Sequence, residues 1–306
     1  MSVFVQQFGN LVQFTKDSWA ILSPIEQSIK NKIESYGVPL KDWNISINYG
    51  IKTGCNDAFI IDGAKRAELI AADPKSDEII RPILRGRDIK RYGYDFADLW
   101  VIALLPSRNY DIEDYPAIRD WLKSFGKKLE QTGETYIDDQ GIEQKCRKKT
   151  KHKWFETQDS IAYWNDFSKQ KIVYGQFRRG AFALDTQGCF LSSNEYFIWT
   201  DQLDLKYLLG LLNSRVCYYY GCVSMNSLGG ATTIAQKDIF IKFPIMEPDE
   251  TTKQKIIELV DKILDRKSNG LDPRDLEEEI NNTLYDMYGF SDEEREAIVE
   301  ITSQQD

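Results

Sequence analysis

The chain has 306 residues, 42% of them hydrophobic and 28% charged, with a single histidine and a net charge of −9. That length suits one large globular domain or two ordinary ones, and with no run of about 18 apolar residues it excludes a membrane-spanning helix. The lone His152 leaves no basis for a Ser-His-Asp triad or a histidine-built zinc site.

Residues 24–36, PIEQSIKNKIESY, predict an amphipathic helix, with Ile25, Ile29 and Ile33 at i, i+4 and i+8. WNISINYGIKTGCNDAFIID then reads as strand, loop and strand, punctuated by Gly50 and Gly54. A helix over 64–71 should end at Asp73-Pro74, and DLWVIALL at 98–105 reads as a buried strand. Residues 115–130 suggest a helix opened by Pro116. The polar stretch 134–153 lacks an apolar period and reads as a hairpin or an exposed loop. Short strands are expected at 171–175, 181–185 and 195–199, then a very apolar helix over 204–220 and a Gly/Ser/Thr-rich loop over 225–237. Three helices follow, at 250–267, 273–288 and 291–302, with Asp272-Pro273 and Ser291 as start signals. The fold class expected is α+β: a mixed domain of short strands and buried helices over residues 1–245, then a helical segment over 246–306.

Charge and cysteines refine this. From Met246 to Asp306 there are 18 acidic and 7 basic residues, so the remaining 1–245 carry 30 acidic and 32 basic. The acidity belongs to the C-terminal helices, and local basic clusters in the body govern any attraction for phosphate. The N-terminus lacks a basic region followed by an apolar one, so no secretory signal is read. Five cysteines, odd in number and without C-x-x-C spacing, read as free thiols of a cytoplasmic protein.

NYGIKTGCNDAFIID (48–62) and DPKSDEIIRPILRGRDIKRYG (73–93) carry a resemblance. They resemble the TaqI-like C-terminal specificity domain of adenine-specific DNA methyltransferases and type IIG restriction enzymes. LKYLLGLLNSRVCYYY (205–220), KDIFIKFPI (237–245) and the terminal LEEEINNTLYDMYGFSDEEREAIVE are similar to further family segments, from about Trp19 to Val299. Family members usually carry an upstream methyltransferase domain with an N-P-P-Y motif and an F-x-G-x-G loop; neither motif occurs here. The resemblance therefore implies double-stranded DNA as partner, no catalytic residue and no metal in this chain. It implies S-adenosylmethionine only in a partner methyltransferase, supplied by another chain or a missing domain, with or without an endonuclease. The chain is expected to begin where the specificity module begins, as a separate subunit, a split gene or an excised fragment.

Four clusters are candidates for the contact. Leu84 to Tyr92 holds Arg85, Arg87, Lys90 and Arg91; these clamp phosphates or, through Asp88, build the module's own scaffold, because a motif fixed across differing specificities does not read bases. Gly50 to Asn56 offers Lys52, Thr53 and backbone N–H groups to an anion, or is a tight structural turn. Lys145 to Lys153 packs six cations into nine residues, among them Arg147, Lys148, Lys149 and Lys151, and reads either as a mobile loop for groove or backbone binding or as a solvated polar loop. Gln176, Arg178 and Arg179 between two strands, Ser193 and Asn194 in the next connection, and Asn226 are candidates for base readout, since Gln and Arg pair bidentately with adenine and guanine; an exposed hairpin is the bland alternative. Asp138-Asp139 with Glu143-Gln144-Lys145 faintly echoes a nuclease D…E-x-K set. A stand-alone interaction protein that no longer binds DNA, and a metal-dependent nuclease, stay as rival readings.

Overall fold

The computed structural model describes residues 22–175, 180–226 and 240–303. Its architecture is α+β, as expected, in four layers. Helix α1 (Pro24–Tyr36) opens with a capping box: Glu26 N donates to Ser23 Oγ at 3.3 Å and Ser23 N donates to the Glu26 carboxylate at 2.6 Å. Its buried residues Ile29 and Ile33 recur four apart, which turns one face to the core. Strand β1 (Gly37–Pro39) leaves this helix and pairs antiparallel with β12 (Pro244–Met246), more than two hundred positions away.

Two four-stranded sheets fill the centre. One has the order β2 (Ser46–Tyr49), β11 (Tyr196–Trp199), β8 (Lys171–Tyr174), β9 (Phe182–Asp185), all neighbours antiparallel. The other has the order β10 (Phe190–Leu191), β4 (Ile80–Leu84), β5 (Leu99–Ile102), β3 (Ile60–Asp62), with β10 and β4 parallel. Strands β8, β11 and β5, each with a neighbour on both sides, are largely apolar runs, whereas the edge strand β2 (SINY) alternates. The two faces still separate by residue. Ile172, Tyr174 and Ile198 face the helical core, while Val173 and Phe197 face the second sheet. Beyond that sheet, Ile61, Ile80 and Ile102 pack under α2 (Asn56–Phe59), α3 (Gly63–Ala72) and α4 (Pro116–Lys123). A buried ion pair sits in the first sheet: Lys171 Nζ donates to Asp185 Oδ2 at 2.5 Å, both side chains wholly inaccessible. Asp185 also accepts from Tyr94 Oη and from the Gln187 and Cys189 N–H groups, so neither charge is left unpartnered.

The helical layer departs from expectation at one point. The helix expected over 204–220 is two: α5 (Leu205–Leu212) and α6 (Arg215–Asn226). Asn213 breaks it by exchanging hydrogen bonds with Phe182 of β9, accepting from its N–H at 3.1 Å and donating to its carbonyl at 2.9 Å. Ser214 restarts it, its hydroxyl accepting from Cys217 N. Likewise the helix expected over 115–130 stops at Lys123 and continues as a tighter turn over Gly126–Leu129. The strand expected near Ala58 begins only at Ile60, after the helical turn α2.

Helices α7 (Glu250–Ser268), α8 (Arg274–Tyr288) and α9 (Asp292–Thr302) are those anticipated for the C-terminus. Their apolar faces, through Ile256, Val260, Ile280, Leu284 and Ile298, join the same core as α1, α5, α6 and the first sheet. The expected boundary at 245/246 falls inside β12 and runs through that core. Among the described residues no helix is long and apolar enough to cross a membrane.

Candidate nucleic-acid interface

Segments distant in sequence meet at one end of the sheets. The loop after β2 lies along the turn before β11: Gly50 N donates to Glu195 O at 2.9 Å and Ile51 N to Leu191 O at 2.7 Å. The approach is so close that a Cβ on Gly50 would lie 2.0 Å from Ser192 O, and only glycine fits there. Ser192 N donates to Leu84 O at 3.1 Å, which brings the Arg85–Asp88 turn alongside. Gly175, at the end of β8, abuts Gly86. On the other flank Gln158 N donates to Lys52 O at 2.9 Å and fixes the 147–158 segment to the same loop.

The cations divide by what holds them. Arg85 grips Asp88 bidentately, through Nε at 2.9 Å and Nη2 at 2.8 Å. Burial opposes the Asp88 charge, but the Arg85 guanidinium and N–H outweigh it and hold the carboxyl below its ordinary value. Arg91 forms an ion pair with Glu277 of α8, both side chains largely buried. Lys90 Nζ donates to Arg87 O at 2.9 Å. Thr53 is buried, its hydroxyl donating to Asn56 Oδ1 at 2.7 Å and accepting from Cys55 N. Arg85, Arg91 and Thr53 each have an internal partner.

Arg147 goes furthest in that direction. It is 4% exposed and its guanidinium donates to four backbone carbonyls: Leu129, Thr53, Trp154 and Glu156. Burial lowers its pKa to about 10. It is a strut, and the expected mobile basic loop is a fastened one. Gly133 N to Arg147 O and Thr150 N to Gln131 O sew it to the preceding segment as well. The neighbours of this strut point outward: Lys148, Lys149 and Lys151 are exposed, as are Lys52 and Arg87, and none of the five has an ion-pair partner among the described residues. Lys127, not singled out in the sequence, is exposed on the segment stitched to this loop; the Lys127-Lys128 pair is its only signal, and Lys128 is engaged by Asp57 at 2.7 Å.

The base-readout candidates are placed unevenly. Ser193 and Asn194 stand exposed on the turn next to Gly50. Gln176, Arg178 and Arg179 lie outside the described residues; Asn226 ends α6 with its side chain outside them. Sequence reading missed Glu195. It is buried beneath the turn, where the Ser192 hydroxyl and the Gly86 and Asn194 N–H groups point at its carboxylate; burial nonetheless raises its pKa. The Ser192-x-x-Glu195 spacing was its signal. The D…E-x-K set is also accounted for. Asp138 Oδ1 accepts from Gln140 N and Ile142 N and Oδ2 from Gln144, so it closes a hairpin turn. Among the described residues no group of three or more metal-ligating side chains converges.

A family model for the TaqI-like C-terminal specificity domain matches residues 81–245. The chain belongs to that family. The specificity domain also resembles solved structures. The Type IIL restriction-modification enzyme MmeI, solved in complex with DNA, aligns with a TM-score of 0.55 at 14% identity, over 87% of this chain and 36% of MmeI. The type IIG restriction endonuclease BpuSI aligns with a TM-score of 0.49 at 15% identity, over 87% of this chain and 33% of its own. The likeness to MmeI is one of fold, and this chain spans about a third of the length of either enzyme. A comparison with curated protein sequences gave no match.

Proposed function

We propose that this specificity domain recognises a duplex DNA target within a restriction–modification system and directs an adenine-specific methyltransferase that another chain or domain supplies. S-adenosylmethionine would be held by that partner, with or without an associated endonuclease, in the cytoplasm. The observation that carries the reading is the sorting of cations around one end of the sheets. Arg85, Arg91 and Arg147 have internal partners that tie the surface segments together, while Lys52, Arg87, Lys148, Lys149 and Lys151 are exposed and without an ion-pair partner among the described residues. Unpaired cations on such a frame suit phosphates, and the Ser193–Asn194 turn between them is placed to reach a base edge. The family membership supports a specificity role.

Binding to random-sequence duplex measured against salt tests this. Five phosphates neutralised correspond to a slope of log Kobs on log[salt] of about −4.5. An affinity indifferent to salt would remove the reading and leave an interaction protein.

A further inference from the structure

The most exposed apolar side chains around the basic surface sit on a small ribbon. Strands β6 (Thr135–Ile137) and β7 (Glu143–Lys145) pair antiparallel, Thr135 opposite Lys145 and Ile137 opposite Glu143. Tyr136 and Gln144 are half-buried, whereas Thr135, Ile137, Glu143 and Lys145 are exposed. Ile137 is 65% and Ile142 52% accessible. The ribbon is closed by hydrogen bonds at both ends. Its tip is closed by Asp138 through backbone N–H groups of Gln140 and Ile142 at 3.0 and 2.9 Å. Its root continues the ladder through Cys146 N to Glu134 O and Gly133 N to Arg147 O, and Arg147 is the buried strut. Just beyond the root lie Lys148, Lys149 and Lys151.

We propose that this ribbon is a base-reading element that enters the major groove while the lysines at its root rest on phosphates. The inference rests on the duplex-binding reading above. A two-stranded ribbon is of a width that the major groove, about 12 Å wide, accepts. Its outward side chains suit base edges: an ammonium for guanine, a carboxylate for the cytosine amino group, a hydroxyl for either, and an isoleucine for the thymine methyl. Charge decides between reading and clamping. The carboxylates of Glu143 and Asp139 disfavour phosphate contact at the tip, and Lys148, Lys149 and Lys151 beyond the root favour it there, so the root is the part that suits the backbone. Burial of Ile137 and Ile142 against bases would also remove their contact with water.

The test uses the full chain and a duplex pool with a randomised centre, comparing wild type with the Ile137→Ser/Glu143→Gln double variant. Both positions are exposed, so the variant should melt with the wild type. Enrichment of the selected sequence should fall about tenfold at one or two positions, while the salt slope, which counts phosphate contacts, should not fall. Unchanged enrichment would overturn the proposal and assign the tip to a protein partner. Loss of random-duplex affinity with the slope would also overturn it, making the ribbon a backbone clamp. A wild-type chain that fails to bind duplex at all would instead remove the underlying functional reading, and this inference with it.

Discussion

Adjacent residues of one basic run have opposite fates, and mutation should expose the division. Arg147→Ala would leave the carbonyls of Leu129, Thr53 and Trp154 without a donor, Glu156 O keeping the Gln131 amide, and a channel where the guanidinium lay. A loss of about 3 kcal/mol in urea unfolding is expected, with proteolysis appearing in 148–153. The double change Lys148→Ala/Lys149→Ala touches no internal partner. Its stability should stay within about 0.5 kcal/mol of wild type, while the salt slope for duplex binding should shrink by about 1.8. Asp88 carries a pH signature. Its folded pKa lies below the ordinary 3.8, so its stabilisation is present above that value and is lost as pH falls through the folded pKa. Asp88→Asn should cost about 2 kcal/mol at neutral pH, by releasing Arg85, and should flatten that acid limb in an equilibrium titration.

Elements show where the sequence is legible and where it falls silent. Helix α1 is readable because a cap, a proline and a four-residue apolar spacing agree over 24–36. The core strands are readable because runs such as IVY at 172–174 and YFIW at 196–199 are apolar and rich in β-branched and aromatic residues, although nothing local shows that Lys171 is buried against Asp185. The break between α5 and α6 is not, because the apolar period runs through it and only the Phe182 backbone, thirty-one residues upstream, tells Asn213 to leave the helix. The site divides in the same way. The clustering of basic residues is written in the sequence, but which of them turns inward depends on carbonyls at 53, 129, 154 and 156 that no local pattern brings together. Close packing between elements gives a further prediction. Gly210 of α5 lies under α7, where an added Cβ would meet Ile256 Cγ2 at 2.8 Å and Val260 Cγ2 at 3.0 Å. Gly210→Ala should cost about 1–3 kcal/mol, read as a lowered melting temperature, despite the better helix propensity of alanine.

At the scale of the molecule, charge and packing follow different divisions. The acidic excess lies beyond residue 246 and the exposed basic strip lies well before it, yet α7 to α9 share a core with α1, α5 and α6, and Arg91 of the LRGRDIKRY stretch is held by Glu277. A chain cut after residue 245 would bare that core. It should lose its cooperative unfolding transition and dispersed amide spectrum rather than yield a compact binding body.

The pairing of β1 with β12 bears on how specificities can be exchanged. It clasps residues 37–39 to 244–246 and so ties an early segment of the fold to the start of the acidic helices. A hybrid chain spliced within that clasp would join two half-strands of different parentage. Grafts that take both strands from one parent keep the clasp native, and the β6–β7 ribbon proposed above as a base reader can be varied in them without touching it.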